Sequence, residues 1–161
     1  MEWQKKIQDK VVYNFNDKLK QGEDGENWLD QFFAPHYNIV ATPTLQHFGI
    51  DRIFTDDKGI VSTIEYKNDT TANVTGNAFI ELVSNDIQGK LGWAFTCKAD
   101  YIIYRVVGGN IYRLRPSAIF GQLVDWNKYE RRTIRNKSYC SVGLLVPLSE
   151  LEHIAAKVYK A

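Results

Sequence analysis

Three charged residues set among apolar neighbours could do chemistry in this chain: Asp51 in Gly49-Ile50-Asp51, and Glu65 and Lys67 in Glu65-Tyr66-Lys67. Both stretches read as strands. Glu65 and Lys67 are two residues apart, so on a strand they share a face. Asp51 lies fourteen positions before Glu65, with the turn-like Thr55-Asp56-Asp57-Lys58-Gly59 between them. A hairpin would therefore return Asp51 to the side of Glu65. Two carboxylates and an ammonium that converge can hold a hard divalent cation and stabilise charge on a phosphate. Magnesium, or manganese in its place, prefers oxygen ligands and keeps several waters, so Asp51, Glu65 and the backbone carbonyl of Tyr66 would suffice from the protein. Lys67 would polarise the attacking water or bind the phosphate. The bland alternative is a surface Glu65–Lys67 pair on an edge strand, with Asp51 paired to Arg52 or Lys58. Against it, isolated charges in an apolar strand are costly unless they pair or bind a metal.

The elements that must position these residues follow from periodicity. Residues 3–20 fit a helix or an extended segment equally well, and Gln21 to Gly25 reads as a break. Glu26 to Phe33 predicts a helix with Trp28, Leu29, Phe32 and Phe33 on one side and Pro35 as its stop. Tyr37–Thr42, His47–Phe54, Ile60–Lys67 and Ala78–Val83 predict strands, and the polar Asn68–Gly76 a loop. Ala99–Val107 and Asn110–Leu114 predict a hairpin around Gly108-Gly109. Pro116 opens a helix to about Trp126, Lys128–Ser138 is a basic linker, and Cys140–Val146 is a strand. Ser149 caps a last helix with Leu151, Ile154, Ala155 and Val158 as its stripe. The order predicts an α/β or α+β fold, a central mixed sheet flanked by helices.

The 161 residues, 44% hydrophobic, predict one domain over 1–161 with a sizeable core. The apolar runs are too short to cross a bilayer, and the N-terminus lacks the apolar stretch of a signal peptide, so a cytoplasmic location is expected. Cys97 and Cys140 form no metal-binding spacing, and His36, His47 and His153 are scattered. A net charge of +1 does not by itself point to nucleic acid. One cluster does: Lys128, Arg131, Arg132, Arg135 and Lys137, with Tyr129 among them. It reads either as a phosphate-binding arm or as a solvated linker.

At these residues the chain resembles the PD-(D/E)XK nuclease superfamily, the restriction-endonuclease-like fold. Gly49-Ile50-Asp51 stands for the PD half, with Ile50 in place of proline, and Glu65-Tyr66-Lys67 for the (D/E)XK half. Gly22-Glu23-Asp24-Gly25-Glu26 is similar to the G-x-x-G-E that opens the first core helix in several branches. The resemblance implies a core over about 22–107, with the strand and helix of 139–160 packing on it. It implies magnesium-dependent DNA cleavage by a homodimer or homotetramer in a bacterial or phage-infected cell. Glu26 would be an additional acidic residue, with Glu23 or Glu81 as alternatives. Phage and cyanobacterial homing endonucleases and Holliday-junction resolvases are relatives of this type. The open alternatives are a resolvase, or a catalytically weak nucleic-acid-binding module of the same fold.

Overall fold

The hairpin expected between Asp51 and Lys67 is present. In the computed structural model, which describes residues 19–161, strand β2 (Arg52–Thr55) pairs antiparallel with β3 (Val61–Asp69), Arg52 opposite Ile64 and Thr55 opposite Val61. Its turn is held by Asp56, whose Oδ1 accepts the backbone N–H groups of Lys58 (2.9 Å) and Ile60 (2.8 Å). Strand β1 (Asn38–Ala41) pairs with the outer side of β2. The expected strand at 47–54 is shorter than its apolar run. Pro43–Phe48 forms a 3₁₀ helix instead, because Pro43 fixes a helical φ at its start and Gly49 closes it in the left-handed region, at φ 70°.

By internal contacts the chain groups into two compact units divided after Pro35. In the first, helix α1 spans residues 19–33 and buries Leu29 and Phe33, while Trp28 stacks on Phe32 at 5.4 Å. The break expected at Gln21–Gly25 is helical: two glycines weaken a helix without ending it. Glu26 thus lies in the body of α1 rather than in its first turn. Residues 3–18 of the ambiguous N-terminal reading lie outside the described residues.

The second unit, His36–Ala161, is built on two sheets. Past β3 come the short helix α2 (Ala72–Thr75), β4 (Asn77–Asn85), β5 (Lys90–Leu91), helix α3 (Trp93–Thr96), β6 (Tyr101–Val106), β7 (Asn110–Leu114) and helix α4 (Pro116–Trp126). Strands β8 (Arg131–Arg135) and β9 (Cys140–Pro147), helix α5 (Leu148–Ile154) and β10 (Lys157–Lys160) complete the chain. One sheet has the order β1-β2-β3-β6-β7-β10 and is mixed, since β3 and β6 run parallel; the other has the order β5-β4-β9-β8. The fold is therefore α+β with a mixed sheet, as the sequence implies, but its strands divide between two sheets rather than one. No helix among the described residues is long and apolar enough to cross a membrane.

The core lies where the two sheets meet. Ile102, Tyr104 and Val106 of β6 and Leu114 of β7 pack in one cluster with Ile80 and Leu82 of β4, Leu144 and Val146 of β9, and Ile119 and Trp126 of α4. The β6–β7 hairpin is thus buried. Two further expectations give way to sheet formation. The basic segment expected as a linker contains β8, the exposed outer strand beside β9, because Thr133 and Ile134 suit an extended edge and the arginines tolerate exposure. The last helix ends at Ile154, and Val158 leaves its stripe to pair with Tyr112 in β10. The expected loop at 68–76 is shortened at both ends, by β3 running to Asp69 and by α2.

Candidate active site

Residue pairing across β3 and β6 fixes where the charged side chains point. Glu65 lies opposite Ile102, Lys67 opposite Tyr104 and Asp69 opposite Val106. Cross-strand neighbours share a face, so all three ionisable residues leave β3 on the side of the core cluster. β3 lies between β2 and β6 and is not an edge strand, and Glu65 is only 6% exposed. That combination rules out the bland surface-pair reading of Glu65.

Burial forces each of these residues to find partners, and they solve the problem differently. Asp69 is saturated. Its Oδ1 accepts the N–H groups of Thr71 (2.9 Å) and Ala72 (2.8 Å) and the Thr71 hydroxyl, and its Oδ2 accepts the Tyr104 hydroxyl. Tyr104 Oη in turn accepts Phe79 N–H at 3.0 Å, tying the open side of β4 to the other sheet. Burial, with the adjacent Asp69 carboxylate, pushes the Tyr104 hydroxyl far above its usual range, so it stays a donor. Asp69 is therefore a structural bracket. Glu65 is less fully served: Oε1 accepts Lys67 Nζ at 2.8 Å, while Oε2 is buried with no N–H or O–H donor, and only the Cys97 thiol, a weak donor that turns to Gly49 O, lies beside the carboxylate. A buried carboxylate oxygen left in this state is costly and suits a ligand that brings positive charge.

Asp51, directly before β2, lies alongside β3 and acts on Lys67 by charge. Its backbone N–H donates to Ile64 O at 2.8 Å, and its carbonyl accepts from Thr42 N–H at 3.0 Å and from Arg52 Nη1 at 2.9 Å. With the main chain so fixed, Asp51 Oδ2 accepts the Tyr66 N–H at 2.8 Å, where β2 no longer supplies a backbone partner. A strand residue presents its N–H and C=O on the same side. The Tyr66 carbonyl consequently leaves β3 toward the Asp51 carboxylate.

The Lys67 ammonium joins the three acids of the site. Burial acts to lower its pKa, but Glu65 by charge and hydrogen bond, then Glu81 and Asp51 by charge, outweigh it and hold Lys67 above its ordinary value of 10.5. Lys67 is therefore a cation at neutral pH, able to stabilise anionic charge but not to take a proton. Its side chain is 30% exposed and its ammonium lies 5.7 Å from the centre of the Trp93 ring. Trp93 itself is buried core.

Glu81 comes from β4, beside a bulge between Glu81 and Val83, and its Oε1 accepts Trp93 N–H at 3.4 Å. Burial raises its pKa, with Lys67 and the Trp93 N–H pulling the other way. Gly92 makes that placement possible: a Cβ there would sit 2.3 Å from the Glu81 carbonyl oxygen and 2.7 Å from its Cγ. Gly49 plays the same part for Glu65. A Cβ on it would lie 3.1 Å from Glu65 Oε2 and 3.2 Å from the Cys97 Cα. Cys97 Sγ donates to Gly49 O at 3.7 Å, and burial first, then the Glu65 carboxylate, push its thiol far up.

Asp51, Glu65 and Lys67 thus converge, joined by Glu81. Glu23 is exposed and Glu26 partly buried on α1, in the other unit. The cluster of Lys128, Arg131, Arg132, Arg135 and Lys137 is exposed along and around β8, in the other sheet. Tyr129 among them is engaged, its hydroxyl donating to Glu150 Oε1 at 2.7 Å. Cys97 and Gly92 escaped sequence reasoning, since neither belongs to a pattern; the Gly92-Trp93 step beside a strand is the only trace. Among the described residues no three His, Cys, Asp or Glu side chains are grouped so as to hold a metal by themselves. Two carboxylates with a backbone carbonyl are a smaller donor set that magnesium accepts, because water completes its shell. Comparison with known protein families, curated proteins and solved structures finds no match.

Proposed function

We propose that this chain is a magnesium-dependent DNA endonuclease of the PD-(D/E)XK type, its core a restriction-endonuclease-like arrangement built on β1, β2, β3 and β6. The observation that carries the reading is the division of Glu65: one oxygen holds Lys67 and the other is buried with no N–H or O–H donor, only the Cys97 thiol lying beside the carboxylate. Asp51 and Glu65, with the Tyr66 carbonyl, would hold the cation, and manganese could replace magnesium there. When bound, the cation supplies Lewis acidity toward a phosphate oxygen and lowers the pKa of its water. Lys67, charged at neutral pH, stabilises the phosphorane from the side of Glu65. Glu81 adds its charge to that of Glu65 in holding Lys67 protonated. Cutting both strands of a duplex takes two such sites, which a homodimer or homotetramer would provide.

The test is nicking of supercoiled plasmid by wild type, Asp51→Asn and Lys67→Ala, with magnesium and with chelator. Magnesium-dependent nicking that both substitutions reduce at least a hundredfold supports the reading, provided their circular dichroism is unchanged. Equal, metal-independent behaviour of all three proteins rejects it. A second reading rests on the absence, among the described residues, of a three-residue metal cluster: a nucleic-acid-binding module in which the Glu65–Lys67 pair only braces the sheets. Duplex binding without any nicking would select it. A Holliday-junction resolvase would instead cut branched DNA in preference to linear duplex.

A further inference from the structure

The rows of the second sheet connect Glu81 to the basic strand. Glu81 of β4 lies opposite Gly143 of β9, and Gly143 lies opposite Arg132 of β8. Residues of one row leave a sheet on the same face, so Arg132 shares the face of Glu81, two interstrand spacings or about 10 Å away. Between them Gly143 carries no side chain, and the Phe79 ring lies over it: a Cβ there would meet the ring at 2.5 Å. Arg131 and Arg135 sit at alternate positions of the strand and leave it on the opposite face.

We infer that this face of β8 is a docking surface for the sugar-phosphate backbone of duplex DNA, with Arg132 its principal phosphate contact and Phe79 the floor between it and the site. The inference rests on the nuclease reading for its scissile strand. All five residues of β8 are exposed, and Lys128, Arg132, Arg135 and Lys137 have no ion-pair partner among the described residues. Between Lys128 and Lys137 five cations stand against one acid, Glu130. That charge matches a polyanion. The strand has no aromatic residue, and the ring of neighbouring Tyr129 lies under the Lys128 ammonium at 5.3 Å. On β8 itself, charge without an aromatic side chain suits paired bases rather than a single strand, the Phe79 ring belonging to β4.

The experiment is fluorescence anisotropy of a labelled linear duplex of about 25 base pairs, titrated with the full chain at several salt concentrations without divalent cation. An equal-length single strand, duplex RNA and an acidic peptide serve as competitors. Arg132→Ala is expected to weaken duplex binding about five- to tenfold and to lower the log–log salt slope by about one. Arg132→Lys should restore the slope, and Arg131→Ala and Arg135→Ala should each weaken binding less than twofold. Wild type that binds no duplex, prefers a competitor, or loses equal affinity at all three arginines overturns the inference. If Arg132 behaves as expected while plasmid is never nicked, the nuclease reading fails and the docking surface stands. If plasmid is nicked while Arg132→Ala leaves the slope unchanged, the reverse holds.

Discussion

Glu65 concentrates the chemical tension of the molecule, because a charge 6% exposed is served by one lysine at one oxygen. Its neighbours report on it. Burial and the Glu65 charge both raise the Cys97 pKa, so neutralising the charge in Glu65→Gln should lower it and speed alkylation of Cys97 at pH 8–9. Peptide mass spectrometry would follow this, with Cys140 as the internal reference; an unchanged rate would mean that the carboxylate does not govern the thiol. Gly49→Ala places a side chain at φ 70° and 3.1 Å from Glu65 Oε2. A loss of about 1–2 kcal/mol in chemical denaturation is expected, and no loss would show that the loop shifts freely. Glu81 gives a pH signature. Its folded-state pKa is raised above 4.5, so the native chain holds that proton more tightly than the unfolded one. Its contribution is full below the unfolded value and is lost as pH rises through the raised one. Thermal melts from pH 4 to 7 should show Glu81→Gln gaining on wild type as pH increases; parallel curves would contradict this. Lys67 has the same sign in another range: its stabilisation persists through neutral pH and is lost only in alkali, above 10.5.

At the level of elements, the strands that carry the site could be read in advance and the context that completes it could not. Alternation of Thr63 and Glu65 with Ile64 and Tyr66 sets the face of Glu65, and the polar Thr55–Gly59 step marks a turn; both are local and both survive folding. Glu81, Cys97 and Gly92 join the site only through the crossover between parallel β3 and β6, which runs through β4, β5 and α3. No sequence period encodes such a contact. Two of the misread segments share a cause. Lys128–Ser138 looks like a linker and Val158 like part of a helical stripe, because β8 and β10 exist by virtue of the edges offered by β9 and β7. The close approach of α3 to β4 makes its own prediction. Gly92→Ala forces a Cβ to within 2.5 Å of the Glu81 carbonyl carbon, backbone that cannot swing aside. It should cost about 1–3 kcal/mol, a penalty in the overpacking range, and should displace Glu81. Stability equal to wild type would place α3 elsewhere.

The whole second unit works as two sheets meeting at a core, with one face of β3 interrupted by charge. Apolar residues of both sheets and of α4 close around Tyr104 and Asp69, which hold β4 against β6, and the Glu65–Lys67 pair borders the same cluster. Such a frame can keep Asp51 and Glu65 in fixed positions before any ligand arrives, which is what a site acting through charge placement requires. The direct test is diffraction from crystals soaked in manganese, recorded at the manganese absorption edge. If Asp51 and Glu65 share a cation, one anomalous peak should lie within about 2.0–2.6 Å of Glu65 Oε2, an Asp51 carboxylate oxygen and the Tyr66 carbonyl, with Lys67 beside it. No peak there at millimolar manganese, with Glu65 Oε2 as bare as before, would contradict the assignment.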